Sequence, residues 1–302
     1  MEHLHVLNGD STAVSFGGTG LPGRRAVWRE ALCEDRVAWH ADPLAVLRER
    51  SSFFPDYERQ VLAEWEVIAA HRGPVVLWFE FDLFCQINLL FLVSYLPDEN
   101  PVFLICPGDH PEIPNFHGLG ECNARQLAAL YVTRIHLTEA DRQAARLLWK
   151  AYTSPNPEAL AAVRDTGPFV HFPAAISLHL QRFPSVTTGL NRIETFFLEQ
   201  LLRKPAGLST LLPAFWRAYP GFGFGDTQLK ETLNDLVQYG LLANNGGDYS
   251  LAPDGHAVWA GSSDYVSRWT GSRWLGGCEL ASGQPVPRWN PAENTISRPP
   301  LQ

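Results

Sequence analysis

The chain has 302 residues, 45% hydrophobic and 19% charged, which excludes a disordered protein and leaves room for two or three compact units. A formal net charge of −8 argues against a general polyanion binder, because neutralising phosphates takes a surplus of Lys and Arg. Cys33, Cys85, Cys106, Cys122 and Cys278 form no CxxC pair and no basic-then-apolar leader opens the chain, so reduced thiols in a cytoplasm are expected.

In chain order, Leu4 to Asn8 is a short apolar run closing on Gly9-Asp10-Ser11, which predicts a strand, a turn and a helix start. Arg25 to Arg29 follows a Gly-rich stretch and predicts a second strand. Pro43 to His71 reads as helix, interrupted around Ser51 to Pro55. Val75 to Phe81 is the strongest strand in the sequence, Phe84 to Tyr95 a buried helix, and Val102 to Cys106 another buried strand. The apolar run Pro74 to Leu96 carries Glu80 and Asp82, whose burial in lipid would be costly, so a membrane span is not expected. Strands alternating with helices predict a parallel sheet, each parallel neighbour needing a crossover. Residues 1–122 are therefore read as a small parallel-sheet, Rossmann-like α/β domain.

Residues 123–188 read as a helical connector, with Thr138-x-x-Asp141 as a capping box. Residues 189–261 read as three helices, Asn191 to Leu202, Leu208 to Ala218 and Asp226 to Tyr239, followed by a hairpin about Asn244-Asn245-Gly246-Gly247. That order predicts a winged-helix-like module. Its five cations and seven anions leave it at −2, and Asp226 to Tyr239 carries one Lys against three acids, so nucleic-acid binding is disfavoured. Residues 262–302 are expected to form a Trp-rich hairpin, with a loose end after Asn290.

Ligands of open α/β sheets bind beyond the carboxyl ends of the strands. The predicted strands end at Asp10 and Ser11, at Arg29 and Glu30, at Glu80 and Asp82 with Gln86 a turn later, and at Asp109 and His110. Glu80 and Asp82 stand two apart, on one face of an extended strand. Together with Asp10 they form a candidate divalent-metal site for an ion such as Mg²⁺, or a proton-transfer pair. Ser11 and Gln86 would orient a substrate and Arg29 would meet its negative charge, with Asp109 and His110 as further binding candidates. Each has a structural alternative: Asp10, Ser11 and Asp82 as helix caps, Glu80 as an ion-pair partner of Arg29, Gln86 and Asn88 as partners of neighbouring backbone, and Asp109-His110 as a surface pair. Gly9-Asp10-Ser11 is similar to the nucleophile block of GDSL-type esterases, but the Asp-x-x-His block that supplies their base is absent. Gly17-Gly18-Thr19-Gly20 has neither dinucleotide-loop nor P-loop spacing, and His3-x-His5 lacks further ligands.

The segments HVLNGDSTA, Leu21-Pro22-Gly23, Trp28-Arg29-Glu30-Ala31-Leu32 and LWFEFDLFCQINLLFLVSYL resemble the bacterial "domain of unknown function 1835" family. The segments GLNRIETFFLEQL, FGDTQLKETLNDL, LAPDGHAVWAG and RWLGG resemble the C-terminal domain often joined to it. The resemblance covers most of the chain. It implies a polar residue after the first strand and a polar cluster after the third, matched here by Asp10, Ser11, Glu80, Asp82 and Gln86; Cys85 stands where the family pattern has Asp. It implies no activity. Two functions follow from the residues: metal-assisted hydrolysis or transfer on a phosphate-bearing small molecule, or a non-catalytic regulatory or adaptor protein that binds a partner protein through the winged-helix-like module.

Overall fold

A computed structural model describes residues 2–297. The first half alternates strand and helix: β1 (Leu4–Asn8), α1 (Asp10–Phe16), β2 (Arg24–Trp28), α2 (Pro43–Glu49), α3 (Ala63–Ala70, entered through a wider turn, Glu58–Leu62), β3 (Val75–Trp78), α4 (Leu83–Tyr95) and β4 (Val102–Ile105). Next come α5 (Ala124–Leu130), β5 (Ile135–Leu137), α6 (Glu139–Tyr152), α7 (Glu158–Ala161) and α8 (Phe172–Leu180). The last third holds α9 (Arg192–Arg203), β6 (Ala206–Gly207), α10 (Leu208–Ala218), α11 (Asp226–Gln238), β7 (Leu242–Asn245), β8 (Asp248–Leu251) and α12 (Pro253–Trp259). Two hairpins finish it, β9 (Ser272–Leu275) with β10 (Cys278–Ala281), and β11 (Arg288–Asn290) with β12 (Thr295–Ser297).

The main sheet has the order β2-β1-β3-β4-β5, with β1 to β4 parallel and β5 antiparallel. Alternate residues of its strands feed two apolar layers, which is why the strands read as unbroken apolar runs. Leu4, Val6, Trp28, Val75, Leu77 and Leu104 join the larger core, together with α4. Leu7, Val76, Trp78 and Ile105 pack on the other face against Phe16, Leu119 and Leu127. Strand β5 was not expected, because residues 123–188 read as a helical connector. Only Leu137 of its three residues is buried, as befits an edge strand with no apolar run to announce it.

Helix α4 is apolar all round, with ten of its 13 residues buried, and it packs against α6 and α8 as well as the sheet. The Thr138/Asp141 capping box forms as expected and opens α6. Helices α9 to α11 accompany a three-stranded sheet ordered β6-β8-β7. Its tight turn, Gly246-Gly247, needs positive φ at both residues, +64° and +101°, a demand that glycine meets without strain. The larger core continues without a break from the sheet through α8 and α9 to Trp289 and Ile296. Order therefore extends past Asn290, where a loose end was expected, because Trp289 and Ile296 face each other across the β11–β12 hairpin and bury there. Residues 298–302 of that expected tail lie outside the described residues. Among the described residues no helix is long and apolar enough to cross a membrane.

Candidate functional site

The strand order places β2 on one side of β1 and β3 on the other, so the chain reverses its winding at β1 and β3. In an open parallel sheet such a switch point is where the connecting loops part, beyond the carboxyl ends. Asn8 to Ser11 and Glu80 to Asp82 lie at that point.

Glu80 and Asp82 do meet, though by a different route from the strand pleat. β3 ends at Trp78, and Asp82 turns out as the N-cap of α4, its Oδ1 accepting from the Cys85 N–H at 2.8 Å. Glu80 Oε1 accepts from the Leu119 N–H at 2.6 Å, and Oε2 accepts from the Cys85 thiol at 3.1 Å. Oxygens of both carboxylates and the Cys85 sulfur lie within 4.8 Å of one another. Burial raises the pKa of Asp82 from 3.8 to about 7, and the neighbouring Glu80 charge adds to it. Burial likewise raises Glu80 above the ordinary carboxylate range, against the hydrogen bonds that favour its charged form. The Cys85 thiol is pushed far up by burial and by the two carboxylates.

Two glycines pack closely against the cluster and a third against Ser11. A Cβ on Gly118 would fall 2.5 Å from Glu80 Oε1, one on Gly120 2.7 Å from Ser11 Cβ, and one on Gly223 2.0 Å from Asp82 Oδ1. Gly223 also has φ +67°. Gly223→Ala is therefore expected to destabilise the protein by about 1–3 kcal/mol in urea unfolding. Gly246→Ala, at φ +64° but with nothing within 4 Å, serves as the control for backbone strain alone. Equal losses in the two variants would show that Asp82 does not press on Gly223.

Asp10 does not join the acidic cluster. It is exposed and takes a forked ion pair from Arg29, at 2.8 Å for the shortest contact, and this pair holds its carboxyl below the usual range. Arg29 also reaches Glu64 at 3.4 Å, so the alternative pairing of Arg29 with Glu80 does not occur. Ser11 is exposed and lies against the turn whose Leu119 N–H holds Glu80. Gln86 is buried, its Nε2–H donating to the Glu80 carbonyl at 2.7 Å rather than facing the carboxylates. At the end of β4, Asp109 is exposed, while His110 is buried and its Nδ1 accepts from the Glu112 N–H at 3.1 Å. His3 and His5 are taken up by Tyr131 and Trp78, through hydrogen bonds of 2.7 and 3.1 Å.

Sequence reasoning missed the buried network behind the cluster. Asn8 donates to the Cys85 sulfur at 2.8 Å, and Asn88 donates to Asn8 Oδ1 and to the Glu30 carbonyl. Glu30, fully buried, accepts from Arg50, Tyr57 and its neighbour's Ala31 N–H. Two amides set among apolar residues, Asn8 and Asn88, were the available signal. Glu30 and Arg50 had none, because their meeting depends on the path of the loop between β2 and α2.

A cleft of about 450 Å³ opens between the strand ends and α11, and Glu80, Asp82 and Cys85 are not among the residues that line it. Asp10, Arg29, Glu34, Phe53, Phe84 and Glu231 are among its walls. Burial raises the pKa of Glu34 despite Arg182 at 3.0 Å, and that of Glu231, which faces the Asp235 charge. Comparison with protein-family models gives no match, and no curated protein matches the sequence.

Proposed function

We propose that the protein binds a phosphate-bearing small molecule at the carboxyl end of its parallel sheet and acts on it by metal-assisted hydrolysis or transfer. In this reading the α/β half is Rossmann-like, the α9–β8 unit is winged-helix-like, and the chain belongs with the "domain of unknown function 1835" family that its motifs resemble. The observation that carries it is the convergence of Glu80, Asp82 and Cys85 within 4.8 Å at the carboxyl end of the sheet, the same end at which a cleft offers Arg29.

The donor set is two carboxylates and a thiol, in place of Asp10 with Glu80 and Asp82. A sulfur ligand fits a borderline-soft cation such as Zn²⁺ better than Mg²⁺, which asks for an all-oxygen shell. The raised Asp82 fits as well, since two buried carboxylates without a cation cannot both ionise cheaply. Such a cation would polarise a phosphoryl oxygen. Arg29 would draw the anionic group into the cleft, and Ser11 would orient it from the rim.

The rival is an adaptor in which the cluster is purely structural. It is favoured by the hydrogen bonds that the two carboxylates already accept from the backbone N–H groups of Leu119 and Cys85. A thermal-shift titration separates the two, using Zn²⁺, Mn²⁺ and Mg²⁺ with and without a sugar phosphate, on the parent and on Glu80→Gln/Asp82→Asn. A ligand at a hundred times its dissociation constant adds about 2.7 kcal/mol, roughly 5 °C for a chain of this size. A shift in the parent that the variant lacks supports the site. A flat titration of the parent refutes it and leaves the adaptor.

A further inference from the structure

We propose that a second small-molecule site lies beyond the end of β4, an apolar cavity that takes a small neutral ligand with an apolar body and an N–H or O–H donor. The cavity measures about 290 Å³, the share of volume of about ten liquid waters. Leu89, Leu104, Ile135, Phe169 and Val170 supply its apolar wall, with Gln86 and His171 among its few polar groups. That mixture, a mostly apolar concavity with sparse polar groups, is the usual form of a small-molecule site.

The polar groups define the ligand's chemistry. Gln86 is 1% exposed, and its Nε2 donates to the Glu80 carbonyl at 2.7 Å and to Cys106 Sγ at 3.3 Å. A carbonyl only accepts, so the amide cannot be turned the other way. Its oxygen, Oε1, then accepts no hydrogen bond from the described residues and is not fully enclosed, which leaves it able to accept from a ligand in the cavity that Gln86 lines. His171 Nε2 lies 3.2 Å from the Cys106 carbonyl, which again only accepts, so Nε2 carries the proton. In the neutral ring Nδ1 is thus an acceptor, and it too has no partner among the described residues.

Both side chains therefore present acceptors, and a ligand satisfies them only by bringing donors. The apolar half of the ligand is asked for by Val170 and Ile135, which line the cavity while standing 71% and 44% exposed to water. The inference uses none of the Glu80, Asp82 or Cys85 donor atoms and stands apart from the metal reading.

Calorimetric titration of the full chain with benzamide and with methyl benzoate tests it. The two share a ring, but only the amide brings N–H donors. Benzamide is expected to bind saturably, and methyl benzoate at least about fivefold more weakly, the value of one hydrogen bond. Gln86→Met should narrow the gap between the two affinities, leaving benzamide only what His171 contributes. Val170→Trp, at an exposed position that puts no strain on the core, should abolish both by filling the mouth. Equal affinities in the parent, benzamide binding that survives Val170→Trp, or no saturable benzamide binding would each overturn the proposal, and the Val170 variant decides if Gln86→Met fails to fold.

Discussion

Arg50→Met is expected to cost about 3–5 kcal/mol of folding stability, the largest loss of any single substitution at the sheet's carboxyl end. Glu30 and Arg50 are both buried, with Nη2 and Oε1 2.9 Å apart. Arg50 Nε reaches the same oxygen at 3.1 Å, and Tyr57 donates to the other. A methionine of similar length keeps the packing but leaves the Glu30 carboxylate without its counter-charge in an apolar interior. Arg50 also donates to the carbonyls of Ala31, Glu34 and Arg36, so three carbonyls of one loop lose a donor together, Ala31 alone keeping the Glu34 N–H. That loop carries Glu34 into the cleft, and the damage reaches the candidate site. Glu30→Gln/Arg50→Met should recover part of the loss, because no buried charge is then stranded. Urea unfolding checks both; a loss below about 1 kcal/mol for Arg50→Met, the scale of an exposed ion pair, would sink the argument.

The contrast between this pair and the rest of the site shows what a sequence can carry. Val75 to Trp78 and the all-round apolar α4 are local patterns, and they appear in the structure within a few residues of their predicted bounds. Glu80 and Asp82 were legible for the same reason: charges inside an apolar run demand an explanation wherever the run folds. Their convergence on Cys85 was only half legible. The pleat of an extended strand predicts the right neighbours, but the cap of α4 brings them together. Asp10 shows the limit. Its place after β1 was read correctly, yet the choice between Glu80 and Arg29 as partner is made in three dimensions, where Arg29 comes from the adjacent strand end. Edge strand β5 and the Glu30–Arg50 pair leave no periodic trace. One is too exposed to need apolar residues, and the other joins side chains whose backbones share no element.

Asp82→Asn is expected to flatten the pH dependence of stability in metal-free protein and to make it more stable than the parent above pH 7. The folded-state pKa of Asp82 is raised from 3.8 to about 7. Between those values the folded chain holds a proton that the unfolded chain has released, so the stability of the parent falls as pH rises through this window. The full penalty, reached above pH 7, is about 4 kcal/mol. Asparagine caps a helix as well as aspartate does and keeps the acceptor for the Cys85 N–H, so the variant loses the penalty without losing the cap. Guanidinium unfolding across the window, with a chelator present, should show the difference between the two proteins opening with pH; parallel profiles would mean that Asp82 titrates normally. Added Zn²⁺ turns the same group to the opposite use. A cation binds the ionised carboxylates, so its stabilisation of the parent should grow as pH rises, while Asp82→Asn should gain little at any pH. A zinc effect equal in parent and variant would separate the metal from this cluster and leave Asp82 a structural cap held neutral by burial.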